Sequence, residues 1–224
     1  MSERKFLSDE IIDIFDEGGE NPRHIARLDY IFGDGWENYA SGYKEAGDIL
    51  AEYAMRDTAF LETLLFPIFF SYRQYVELRL KTIIVYGREL LHEPSPFPQI
   101  GTHDLARLWE EAQKVIKVVW PEADLDVVNG FIQQFHQVDP GSFEFRYPVI
   151  KKDGSPNELL KTEWRTEWDD ASGDYVTTLA RKTMNIRRLK DTVQILAGDL
   201  DGAVSGVSAY LDEWRTVQSQ CCHG

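Results

Sequence analysis

The chain predicts a mainly α fold, a helical bundle with a small β-hairpin insertion, and three observations predict it. Apolar residues recur at three- and four-residue spacing along most of the length. Proline and glycine breaks cut that pattern into helix-sized pieces. Alternation of period two is confined to residues 140–180. With 224 residues there is material for one large buried core. The reading is one domain over 1–224, with 140–180 as the β-containing insertion and 181–218 as a long C-terminal helix or helix pair.

Ser8, Asp9 and Glu10 supply a capped start for a short helix through Ile11, Ile12 and Phe15, which ends at Gly18-Gly19. Trp36, Tyr39, Ala40, Tyr43, Ala46, Leu50, Tyr53 and Ala54 then follow helical spacing and give a helix one aromatic face. Thr58 is placed to cap the next helix, whose run from Phe60 to Phe66 meets Pro67, a residue that must kink or restart it. From Ile68 to Leu91 the chain is apolar almost all round, so this helix belongs in the interior. Pro94, Pro96 and Pro98 make a rigid loop.

Thr102 is the expected cap of a helix with Leu105, Leu108, Trp109, Ala112, Val115, Ile116 and Val119 facing inward and Pro121 as its stop. Asp124 starts another, through Val127, Val128, Phe131, Ile132 and Phe135. Phe143, Phe145 and Tyr147 alternate ahead of the turn pair Asp153-Gly154, which predicts a hairpin. Trp164–Trp168 and Tyr175–Leu179 could supply another pair of short strands. The last helix repeats in heptads: Ile186, Val193, Leu200, Val207 and Trp214 at one position, Leu189, Leu196, Ala203 and Tyr210 at the other. Gly198, Gly202 and Gly206 fall four apart within it, either as a close-approach stripe or as a break near Gly198.

The balance of 43% apolar and 28% charged residues is that of an ordinary globular protein and excludes fibrous and disordered classes. A net charge of −14 repels phosphate backbones, so nonspecific nucleic-acid binding is disfavoured. The one basic concentration is Arg181, Lys182, Arg187, Arg188 and Lys190. The cysteines, Cys221 and Cys222, are adjacent, and Cys221-Cys222-His223 has no upstream pair to complete a zinc site, so neither a disulfide nor a metal is expected. No Gly-rich phosphate loop, nucleophile elbow, HExxH or dinucleotide fingerprint occurs, and no cofactor is expected. The first residues lack an apolar signal core and Phe60–Phe70 is too short to span a bilayer, so a cytoplasmic protein without membrane contact is expected.

Arg73, Glu77 and Lys81 recur every fourth residue and so share one face of the interior helix. Unpaired charges there cost several kcal/mol, roughly, so the stripe must line a cleft or meet partners. Either His103 or Arg146 should be near it. His103 and Asp104 bring an imidazole and a carboxylate to a helix start, where an imidazole can act as acid or base and a carboxylate caps. Arg146, on the expected strand, points opposite to Phe145 and Tyr147 and is suited to a phosphate or carboxylate. A paired polar stripe, a capping aspartate and a surface arginine are the plain structural alternatives.

The stretch Pro67-Ile68-Phe69-Phe70-Ser71-Tyr72-Arg73-Gln74-Tyr75-Val76-Glu77-Leu78-Arg79-Leu80-Lys81 resembles the PIxFxYRHxxELxLK helix of bacterial HEPN-like proteins. Thr102-His103-Asp104-Leu105 and Phe145-Arg146-Tyr147-Pro148 resemble companion motifs in the same order. The resemblance implies an α-helical HEPN-like domain, commonly a homodimer, in toxin–antitoxin, phage-defence or RNA-processing settings. Catalytic members are metal-independent ribonucleases in which the RNA 2′-hydroxyl attacks. On this reading Arg73, Glu77 and His103 are the catalytic candidates, and Lys81, Asp104, Arg146 and Tyr147 the substrate-binding ones. The family's catalytic pattern is an arginine and a histidine with four to six residues between them. No histidine occurs from Gln74 to Lys81, and Arg88 with His92 is one residue short. Two readings follow: a ribonuclease or toxin acting on RNA or a nucleotide, and a catalytically silent interaction or sensor subunit with a protein partner from the same operon.

Overall fold

Capping and packing rules account for most helix boundaries in the computed structural model, which describes residue 26 and residues 35–93, 100–148, 163–169, 173–180 and 183–221. Helix α1 is Trp36–Arg56, and its buried face is small, with Ala40, Gly47, Ala51 and Ala54 inward while Tyr39 and Tyr53 are exposed. Small residues let it lie close on the next helix: a Cβ at Gly47 would fall 2.6 Å from Tyr72 Cε1. Asp57 ends α1 and accepts from the Ala59 amide at 3.2 Å, opening the 3₁₀ turn Thr58–Phe60. Asp57 therefore does the capping that the sequence assigns to Thr58.

Helix α2, Leu61–Gly87, runs through Pro67 without a restart. Pro67 and Thr63 both lie on the exposed side, where water can take the bond that the proline removes. Beyond it α2 packs against α1, α3 (Leu105–Val119) and α5 (Ile186–Cys221) and is mostly buried, with a half-buried row of Phe70, Gln74, Leu78, Lys81 and Val85. Asp104, not Thr102, caps α3 by accepting from the Arg107 amide at 3.0 Å, while Thr102 Oγ1 accepts from the Asp104 amide. Helix α4, Asp126–Val138, buries Val128, Ile132 and Phe135. Asp124 folds the turn ahead of it by accepting from the Asp126 amide at 3.0 Å.

Helix α5 is one unbroken helix of 36 residues, with Asn185 accepting from the Arg188 amide at its start. Its first heptad row stays buried from Ile186 through Val193, Leu200 and Val207, while the second, after Leu189 and Leu196, moves to Val204 and Leu211, leaving Ala203 half-buried and Tyr210 exposed. A straight helix drifts about 20° per heptad, so the inward row slips by one residue over this length.

The segment Phe143–Tyr147 is a set of turns, not a strand. The amides of Arg146 and Tyr147 both donate to the Phe143 carbonyl, at 3.0 and 3.2 Å. Phe145 alone is buried, stacked on Phe69 with ring centroids 4.0 Å apart. Further on, strands β1 (Glu163–Asp169) and β2 (Asp174–Ala180) pair antiparallel, with Trp164 opposite Leu179 and Trp168 opposite Tyr175. How that pair packs on the helices lies outside the described residues, as do the helix expected from Ser8, the prolines from Pro94 to Pro98, the Asp153-Gly154 turn, Arg181, Lys182, Cys222 and His223. No helix among the described residues is long and apolar enough to cross a membrane.

Candidate functional site

The four-residue recurrence on α2 puts Arg73, Glu77 and Lys81 on the face that meets the start of α3 and the end of α4. Arg73 is fully buried, and each of its three nitrogens has a protein acceptor. Nε donates to the Asp139 carbonyl at 3.0 Å, Nη1 to Glu77 Oε2 at 2.9 Å and Nη2 to the His103 carbonyl at 2.6 Å. One guanidinium thus fixes the last turn of α4 and the residue before the cap of α3 to the middle of α2.

Glu77 is also buried, and its second oxygen, Oε1, accepts from Lys81 Nζ and from His103 Nδ1, both at 2.8 Å. Burial pushes its pKa up, but the Lys81 hydrogen bond and charge, followed by those of His103, outweigh it and hold the carboxyl below its ordinary value. A carboxylate only accepts, so the contact puts the imidazole proton on Nδ1 and leaves Nε2 as the nitrogen open to acid–base work. The His103 side chain is 57% exposed, against 13% for Lys81 and none for Arg73. His103 is therefore the member of this cluster that water reaches most freely.

Asp139 completes the cluster and was missed in the sequence. Its Oδ1 accepts from the amides of Phe143 and Glu144, at 2.7 and 3.1 Å, and its Oδ2 lies 3.5 Å from Arg73 Nε. This bonding winds the loop after α4, including Ser142 at φ 56°, into the turns that replace the expected strand. The run Asp139-Pro140-Gly141-Ser142 carried the signal: an aspartate ahead of a proline and glycine reads as a turn whose side chain bonds its own backbone.

The other sequence candidates divide. Asp104 is next to His103 in the chain but serves α3 as its cap, with His136 Nδ1 3.3 Å away and too poorly aligned to hydrogen-bond. Arg146 and Tyr147 are exposed, and the Arg146 guanidinium lies over the rings of Phe70 and Tyr147 at 5.8 and 5.7 Å. Together with Phe66 and Phe145 they line a cavity of about 260 Å³ that includes none of Arg73, Glu77, Lys81 and His103. The expected choice between His103 and Arg146 as neighbour of the charged stripe thus falls to His103. Of the basic concentration, Lys190 is paired with Glu52, and Arg187 and Arg188 are exposed.

Two residues beyond Glu77, on another face of α2, a second buried arginine holds another junction. Arg79 bonds Glu37 of α1 through both terminal nitrogens, and its Nε is 2.6 Å from Asp201 of α5. Its hydrogen bond draws the Glu37 pKa down to about 2. Tyr75 donates to Asp201 at 2.8 Å, and burial pushes its phenol up. Nothing local in the sequence joins Glu37, Arg79 and Asp201, which are far apart along the chain. Among the described residues no group of three or more His, Cys, Asp and Glu side chains is placed to hold a metal ion.

Comparison of the chain with protein-family models, with curated proteins and with solved structures gives no match.

Proposed function

We propose that the chain is a catalytically silent interaction or sensor subunit of the HEPN-like type. The observation that carries this reading is the enclosure of Arg73. A guanidinium that steadies a phosphate in a transition state must offer donors to the substrate, whereas Arg73 is buried and directs its donors to Glu77, Asp139 and His103. The net charge of −14 adds a repulsive field for RNA. A homodimer, a partner from the same operon and a bacterial defence or toxin–antitoxin setting belong to the same proposal through the resemblance, and a cytoplasmic location belongs to it as well.

One feature favours the metal-independent ribonuclease as a second reading. An exposed imidazole backed by a buried carboxylate is a workable acid or base, and His103 on Glu77 has that form. A fluorescently labelled RNA incubated with the purified chain in chelator separates the two. The silent subunit leaves the RNA intact, at the level seen with His103→Ala. Cleavage that survives chelator and disappears in His103→Ala assigns the chain to the ribonucleases instead.

A further inference from the structure

Two glycines of α5 make no close packing contact among the described residues. A Cβ at Gly198 or at Gly202 would meet nothing within 4 Å, whereas one at Gly206 would fall 2.3 Å from Trp120 Cη2. Gly206 is there to admit the indole. Gly198 and Gly202, one turn apart, form bare backbone on the wall of a cavity of about 380 Å³ between α3, the α3–α4 loop, α4 and α5. Trp109, Ile116, Trp120, Val128 and Leu200 line the rest.

The charge of this groove has one sign. Asp124 and Asp199 line it and are exposed, and among the described residues no Lys, Arg or His lines it. Glu122 and Asp126, two residues from Asp124 on either side in the chain, are also exposed. The nearby Lys117 ammonium is drawn down onto the carbonyls of Pro121 and Ala123.

We propose that this groove docks an amphipathic helix of a partner protein with Lys or Arg beside its apolar stripe. The inference rests on the interaction-subunit reading and names that subunit's partner by its chemistry. An apolar floor takes side chains at i, i+3, i+4 and i+7 of a helix, and bare glycine backbone lets that helix come close. The acidic edge selects its cations. A second copy of this chain suits the groove less, because it brings its own net charge of −14.

The test uses the full chain and two labelled synthetic helices of about 16 residues. Both carry one Leu-rich stripe, flanked by Lys in the first and by Glu in the second, and binding is read by fluorescence anisotropy. The Lys helix should bind at least about tenfold more tightly than the Glu helix, and added salt should weaken it. Gly202→Leu, whose Cβ would meet nothing within 4 Å among the described residues, should weaken the Lys helix by about tenfold or more. Asp199→Lys, at an exposed position, should shift the preference toward the Glu helix, which keeps the test decisive if the leucine variant misfolds. Equal binding of the two helices overturns the proposal, as does failure of the Lys helix to bind. A dimer in sedimentation that Gly202→Leu dissolves gives the groove to a second copy and also overturns it. If the Lys helix fails and RNA stays intact, the groove assignment falls and the silent-subunit reading stands.

Discussion

Arg73 and His103 touch through a backbone carbonyl, and that detail separates what each contributes. The Arg73 guanidinium holds the His103 carbonyl, so it depends on the chain at 103 and not on the imidazole. His103→Ala removes one of the bonds to Glu77 but leaves the guanidinium its partners. A loss of about 1 kcal/mol in urea unfolding is expected. The acid side of the stability curve belongs to Glu77 and Glu37, both held below their ordinary values in the fold. A carboxyl depressed in the folded state stabilises above its unfolded pKa, near 4.3, and that stability disappears as pH falls through the folded value. The thermal midpoint should therefore fall as pH drops from about 4.5 toward about 2, the value of Glu37, and Glu37→Gln should make that fall shallower. At this scale the sequence was legible where the pattern was local. The four-residue recurrence exposed Arg73, Glu77 and Lys81, and the helix start exposed His103 and Asp104. Asp139 was hidden because its partner Arg73 is 66 positions away and only the turn chemistry around it is local.

The glycines of α5 share one stripe but meet different surroundings. A Cβ at exposed Gly198 or Gly202 meets nothing among the described residues, so Gly198→Ala and Gly202→Ala should each stabilise the helix by about 1 kcal/mol. Gly206→Ala places its methyl group against the Trp120 ring and should destabilise by about 1–3 kcal/mol. Urea midpoints of the three variants check the opposite signs. Helix periodicity made the five helices legible, since apolar spacing and capping residues are local properties. One expected element is replaced by another. Alternation at Phe143, Phe145 and Tyr147 matched a strand, but the Asp139 carboxylate and the Phe145 side chain, seated on Phe69, fold that stretch into turns. Tyr39 and Tyr53 of the aromatic face of α1 are exposed, because the close approach of α1 to α2 selects the alanines and Gly47 for the interface.

Across the whole molecule, α2 is the element around which the others are arranged, and its two buried arginines hold different neighbours: Arg73 the ends of α3 and α4, Arg79 the helices α1 and α5. The helical class was readable from the sequence; these long-range junctions were not, because charge pairs between distant segments leave no period. The same molecule carries a net charge of −14, and filter binding at physiological salt should detect no retention of a labelled nonspecific RNA. Retention that falls steeply with salt would point to a locally basic surface that outweighs this field. The central claim is that the Arg73 cluster holds the fold together and does not hold a substrate. Equilibrium urea unfolding of Arg73→Met tests it most directly. Removing one member of a buried, hydrogen-bonded charge cluster leaves Glu77 and Asp139 without their partner, and a loss of about 3–5 kcal/mol is expected. A change within about 0.5 kcal/mol, the size of an ordinary surface substitution, would contradict the claim and return the guanidinium to the role of a ligand-binding group.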